Sequence, residues 1–84
     1  MLYFVVFRTS AAKELRKLPI TARKQVSELI DSLAHDPRPH GVRKLVGADA
    51  WRIRIGDYRV VYLIMDQQLV VEVIKIGNRR EVYR

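Results

Sequence analysis

The chain has 84 residues, with 16 lysines and arginines against 9 acids, a formal net charge of +7 and no cysteine. That length sets one domain spanning 1–84, and 49% hydrophobic residues make the chain too apolar for disorder. The missing cysteine excludes disulfides and thiolate metal sites, which suits the cytoplasm. The basic excess points to an anionic partner: nucleic acid, an acidic protein segment or, less favoured, a membrane surface.

The run Leu2 to Phe7 is rich in β-branched and aromatic residues and stops at Arg8. It is too short to span a bilayer or to serve as a signal-peptide core, so it is expected to be a buried strand. Thr9 or Ser10 is placed to cap a helix running to about Leu18, with Ala11, Leu15 and Leu18 on its apolar face. Pro19 breaks that helix. A second follows from about Thr21, with Ala22, Val26, Leu29, Ile30 and Leu33 as its stripe, and Pro37 limits it. The two helices form an αα-hairpin.

Proline and glycine make a loop of Asp36 to Gly41, after which the hydrophobic period changes to two. Trp51-Arg52-Ile53-Arg54-Ile55 alternates strictly, Gly56-Asp57 turns the chain, and Tyr58 to Met65 forms the next strand. Asp66 to Gln68 turns it again, and Leu69 to Ile76 is the last strand. Arg43 to Val46 can add a short strand. The predicted fold is α+β, in the order β-α-α-β-β-β, an antiparallel sheet with the helix hairpin packed on one face. The first strand is expected beside the last long one.

Alternation sends Trp51, Ile53 and Ile55 to one face of the sheet, where the helices can cover them, and Arg52 and Arg54 to the other. Arg59 follows the tight turn, and Arg79 and Arg80 follow the last strand, so Arg52, Arg54, Arg59 and Arg79 are expected to converge. A guanidinium suits phosphate, because it is planar, bidentate and permanently charged. The plainer reading is a solvated face paired with Asp49, Asp57, Glu72 and Glu81. Other chemistry finds little support. His35 and His40 lack a metal-site or catalytic partner pattern and read as surface residues, and Ser10, Ser27 and Ser32 lack an evident base. No phosphate-binding glycine loop is present, and nothing calls for a metal or another cofactor.

Leu15-Arg16-Lys17-Leu18-Pro19, Lys44-Leu45-Val46-Gly47, the run from Trp51 to Tyr62 and the ending from Ile76 to Tyr83 together resemble the RelE branch of the RelE/ParE toxin superfamily. The resemblance covers essentially the whole chain, and the last two segments are its specific parts. It implies the toxin of a type II toxin–antitoxin system: a ribosome-dependent endoribonuclease acting on mRNA. A cognate RelB-like antitoxin, acidic and partly disordered, is its implied partner. The implied chemistry is attack of a ribose 2′-hydroxyl on the adjacent phosphate, leaving a 2′,3′-cyclic phosphate and a 5′-hydroxyl. The family's functional positions fall on Arg52 and Arg54, on Arg59 and Arg79, and on Tyr83. Arg52, Arg54 and Arg80 are expected to bind RNA, and Arg59 and Arg79 to stabilise the transition state. Tyr83 is expected to accept the hydroxyl proton or to stack on a base. The alternatives are a ParE-like poison of DNA gyrase acting by protein contact, and a non-enzymatic basic binding module.

Overall fold

Two prolines and one change of hydrophobic period divide the chain as expected. The computed structural model describes residues 2–47 and 49–78. Its elements are β1 (Phe4–Phe7), α1 (Thr9–Lys17), α2 (Ile20–Leu33), β2 (Arg43–Lys44), β3 (Ala50–Ile55), β4 (Tyr58–Met65) and β5 (Val70–Asn78). The sheet order is β1-β5-β4-β3-β2. From β2 to β5 every neighbouring pair is antiparallel, as short turns require, whereas β1 joins β5 in the parallel sense. A parallel pair needs a long connection, and the helix hairpin begins it.

The helices cover one face. Ala11 from α1 and Val26, Ile30 and Leu33 from α2 meet Ile53, Val60, Tyr62, Val71, Val73 and Ile76 from the sheet. Trp51 and Ile55 pack against this core as alternation predicts. A bulge in the β4–β5 ladder sets Val61 against Lys75 but Tyr62 against Val73, so Ile74 is the extra residue.

Four details differ from the sequence reading. The sheet is mixed and not antiparallel throughout, because the long connection that starts with the helix hairpin brings β1 in parallel beside β5. β1 is an edge strand and is not buried: Phe4 is 72% exposed and Val6 45%, while only Tyr3 and Val5 turn inward to the core. A continuous apolar run does not by itself distinguish an edge strand from a central one. Neither Thr9 nor Ser10 caps α1, because Arg8 occupies the N-cap in an extended conformation with no side-chain cap hydrogen bond. Finally, Leu69 belongs to the turn before β5, where its φ of 56° places it in the left-handed region.

The connections are fastened by polar groups. β1 pairs only with Val70 to Val73 of β5, and α1 crosses the uncovered half. There the Glu14 carboxylate accepts the Ile76 backbone N–H at 2.9 Å and the Lys75 ammonium at 2.6 Å. An open sheet edge is thereby closed without another strand. At the other end of the sheet, Arg38 forks onto Asp66 at 3.1 and 2.8 Å, and the Tyr3 hydroxyl donates to the same carboxylate at 2.6 Å. The Arg38 guanidinium also lies 5.1 Å from the Trp51 ring centre. One residue earlier, the Pro37 carbonyl accepts the buried Tyr62 hydroxyl at 2.7 Å. Burial pushes the Tyr62 phenol well up.

Two tests of stability follow from these contacts. Ile30 is 1% exposed, so Ile30→Ala should cost about 2–5 kcal/mol in urea unfolding by loss of packing plus a cavity. The hydrogen bonds from Arg38 and then Tyr3 hold the Asp66 carboxyl down at about 2. A depressed acid stabilises the fold fully above its unfolded value of ~4 and loses that contribution as pH falls toward the folded one. Asp66→Asn should therefore melt below wild type at pH 7, with the gap closing as the pH is lowered through 4 toward 2.

Candidate anion-binding site

The face turned away from the helices takes its chemistry from strand register. Arg43 of β2 stands directly opposite Arg52 of β3, and Arg54 of β3 directly opposite Arg59 of β4. Directly opposed residues share a face with Cβ atoms ~5 Å apart, and Arg52 and Arg54 lie ~7 Å apart along their strand. Four guanidinium groups thus occupy one patch built from three strands. Arg52 and Arg59 are half-buried, with their Nε atoms shielded from solvent, while Arg43 and Arg54 are exposed.

Two of the acids that the plainer reading offered as partners are used elsewhere. Asp49 lies 3.6 Å from Lys44, and Glu72 lies 3.4 Å from Arg8. Among the described residues, Arg43 and Arg54 make no ion pair of their own. Like charges directly opposed across a sheet cost roughly 0.2–1 kcal/mol per pair relative to neutral residues. A bound anion would reverse the sign of that cost.

A cleft of about 320 Å³ opens beside the patch, lined by His40, Gly41, Arg43, Arg52, Ile53 and Arg54. Its rim is the loop between α2 and β2. Gly41 turns that loop with a φ of 90°, a conformation that costs glycine little. On the opposite side of the patch, Arg59 pairs with Gly77, one residue before β5 ends at Asn78.

The structure therefore brings together Arg52, Arg54 and Arg59 from the predicted set. Arg79, Arg80 and Tyr83 lie outside the described residues. Sequence reasoning did not select Arg43 or the nearness of His40. The signal for Arg43 was present: a strand at Arg43 followed by a turn at Gly47 pairs back onto Trp51 and Arg52. No group of three or more His, Cys, Asp or Glu able to hold a metal occurs among the described residues. Trp51 packs on the helix side, with Lys44 5.9 Å from its ring centre, and is not part of the cleft lining.

Known proteins of this shape share the arrangement of elements. A family model described as the ParE toxin of a type II toxin–antitoxin system matches residues 5–83. The mRNA interferase toxin RelE of Escherichia coli K12 is 36% identical over 87 residues, covering 99% of this chain and 92% of the relative. The chain belongs to the RelE/ParE toxin family, in its RelE branch. Solved RelE-type structures agree in fold. The archaeal RelE–RelB complex from Pyrococcus horikoshii OT3 matches with a TM-score of 0.85 and 32% identity, covering 96% of this chain and 99% of that one. The RelBE2 toxin–antitoxin complex from Mycobacterium tuberculosis matches with a TM-score of 0.84 and 29% identity, covering 94% and 100%.

The arginine patch makes a direct prediction for this RelE-type chain. Inorganic phosphate should raise the melting temperature above that in chloride at equal ionic strength, by ~1.4 kcal/mol of stabilisation at ten times its Kd. The double variant Arg52→Gln/Arg54→Gln should lose that phosphate-specific gain while keeping the wild-type fold by circular dichroism.

Proposed function

We propose that this chain is the toxin of a type II toxin–antitoxin pair and acts in the cytoplasm as a ribosome-dependent endoribonuclease on mRNA. The observation that carries the reading is the gathering of Arg43, Arg52, Arg54 and Arg59 on one sheet face. A poison that works by protein contact alone has no need of a phosphate cradle built from two opposed like-charge pairs. The relatives support the same reading, since the similar protein from Escherichia coli K12 is an mRNA interferase by name. Two of the similar toxins are solved as complexes of RelE with RelB or as a RelBE pair. A RelB-like antitoxin, acidic and partly disordered, is accordingly the proposed cognate partner. No helix among the described residues is long and apolar enough to cross a membrane.

In the proposed mechanism the scissile phosphate lies against the arginine patch. Arg52 and Arg54 hold the RNA backbone, with Arg80 adding to this grip. The ribose 2′-hydroxyl attacks the adjacent phosphorus, and negative charge builds on the non-bridging oxygens. Arg59 and Arg79 stabilise that charge. Arginine stays protonated and donates through a fixed fork, so these side chains bind and stabilise but do not shuttle protons. Tyr83 either accepts the hydroxyl proton or stacks on a neighbouring base. The products are a 2′,3′-cyclic phosphate and a 5′-hydroxyl.

Expression in cells followed by mapping of message 5′ ends tests the reading. Cuts that require translation of the message support it. Growth arrest with DNA damage signalling and no cuts would instead identify a gyrase poison, and no growth effect a binding module. Arg59→Ala and Arg79→Ala should each slow cleavage by ~10²–10³-fold, about 3–4 kcal/mol of transition-state stabilisation, with the fold unchanged.

A further inference from the structure

Removing the proton of a 2′-hydroxyl requires a group with a lone pair, and the arginine patch has none to offer. Each guanidinium presents five N–H donors and no acceptor. Of the side chains that line the cleft, His40, Arg43, Arg52, Ile53 and Arg54, only the imidazole carries a nitrogen that can take a proton. We infer that His40 is a further catalytic residue and acts as the general base toward the 2′-hydroxyl of the bound message. The inference rests on the ribonuclease reading above.

Its position follows from the cleft. Arg43 opens β2 opposite Arg52, and the residues just before it, His40 and Gly41, line the same cleft as Arg52 and Arg54. His40 therefore lines the cleft on the β2 side of Arg54, while Arg59, opposite Arg54, has Gly77 as its neighbour on the β5 side. A phosphate held at the pair Arg54 and Arg59 has an imidazole on one flank and Gly77 on the other. Displacement at phosphorus proceeds with attacking and leaving oxygens roughly in line, so the groups that serve them belong on opposite flanks.

The loop that carries His40 is fastened at both ends. Before it, the Pro37 carbonyl holds the Tyr62 hydroxyl and the Arg38 fork holds Asp66. After it, the Val42 N–H bonds back to the Pro39 carbonyl at 3.2 Å, and the chain enters β2 at Arg43. A base on a slack loop would lose the advantage of being positioned, and this one is held.

The step balances without a co-reactant other than water. The O2′–phosphorus bond forms as the 2′ proton passes to the His40 nitrogen. The phosphorus–O5′ bond breaks, and the 5′ oxygen leaves with a proton from water. The imidazole then returns its proton to solvent. With the base at His40, Tyr83 is left to stack.

Single-turnover cleavage of a message in programmed ribosomes tests this, with binding measured on a message carrying 2′-deoxyribose at the cut site. His40→Ala should cut at least ~10²-fold more slowly than wild type while binding the deoxy message equally well. Free imidazole should restore a large part of the lost rate to His40→Ala and leave wild type unchanged. A His40→Ala rate equal to wild type, a loss that tracks binding, or a loss that imidazole does not relieve would each overturn the assignment. Absence of cleavage by wild type would overturn the ribonuclease reading itself, and His40 with it.

Discussion

Opposed like charges across a β-ladder are the constraint around which this molecule is arranged. Arg43 faces Arg52 and Arg54 faces Arg59, and neither pair would be chosen for stability alone. The sheet tolerates them because its other face supplies the binding energy of the fold. Val60, Tyr62, Val71, Val73 and Ile76 are essentially removed from water there, beneath α1 and α2. Each such side chain contributes on the order of 1.5–3 kcal/mol by burial, against a fraction of a kcal/mol lost at each arginine pair. One sheet thus keeps its two functions on its two faces.

The polar fastenings carry this division to the edges of the sheet. Glu14 closes the half of β5 that β1 leaves uncovered, so α1 is held to the strand that ends beside Arg59. Arg38, Asp66, Tyr3 and Tyr62 tie the α2–β2 loop to the far end of the sheet. That loop brings His40 and Gly41 to the rim of the arginine cleft. Rigid placement matters more for these groups than their number, since a guanidinium acts on developing charge only where its N–H bonds already point.

Much of the fold was legible because periodicity is a physical consequence of side-chain direction. The alternation of Trp51, Ile53 and Ile55 with Arg52 and Arg54 set both faces of β3, and the spacing of Val26, Ile30 and Leu33 set the inner face of α2. What the sequence did not show depends on relations between segments far apart in the chain. The edge position of β1 leaves Phe4 and Val6 in water, although their composition alone reads as core. Arg43 escaped notice because a two-residue strand has almost no periodicity, and only its pairing with Arg52 reveals which way it faces. His40 is ordinary in sequence and gains meaning only from the loop that carries it beside Arg54. The left-handed turn at Leu69 was equally invisible, since leucine is not a residue that advertises such a backbone.

A crystal structure of the toxin with a message that carries 2′-deoxyribose at its cut site would decide whether this face is the reaction centre. The phosphate after the deoxyribose should then lie within hydrogen-bonding distance of both the Arg54 and Arg59 guanidinium groups. A message backbone bound along the helix pair, with that phosphate remote from β3 and β4, would contradict the assignment.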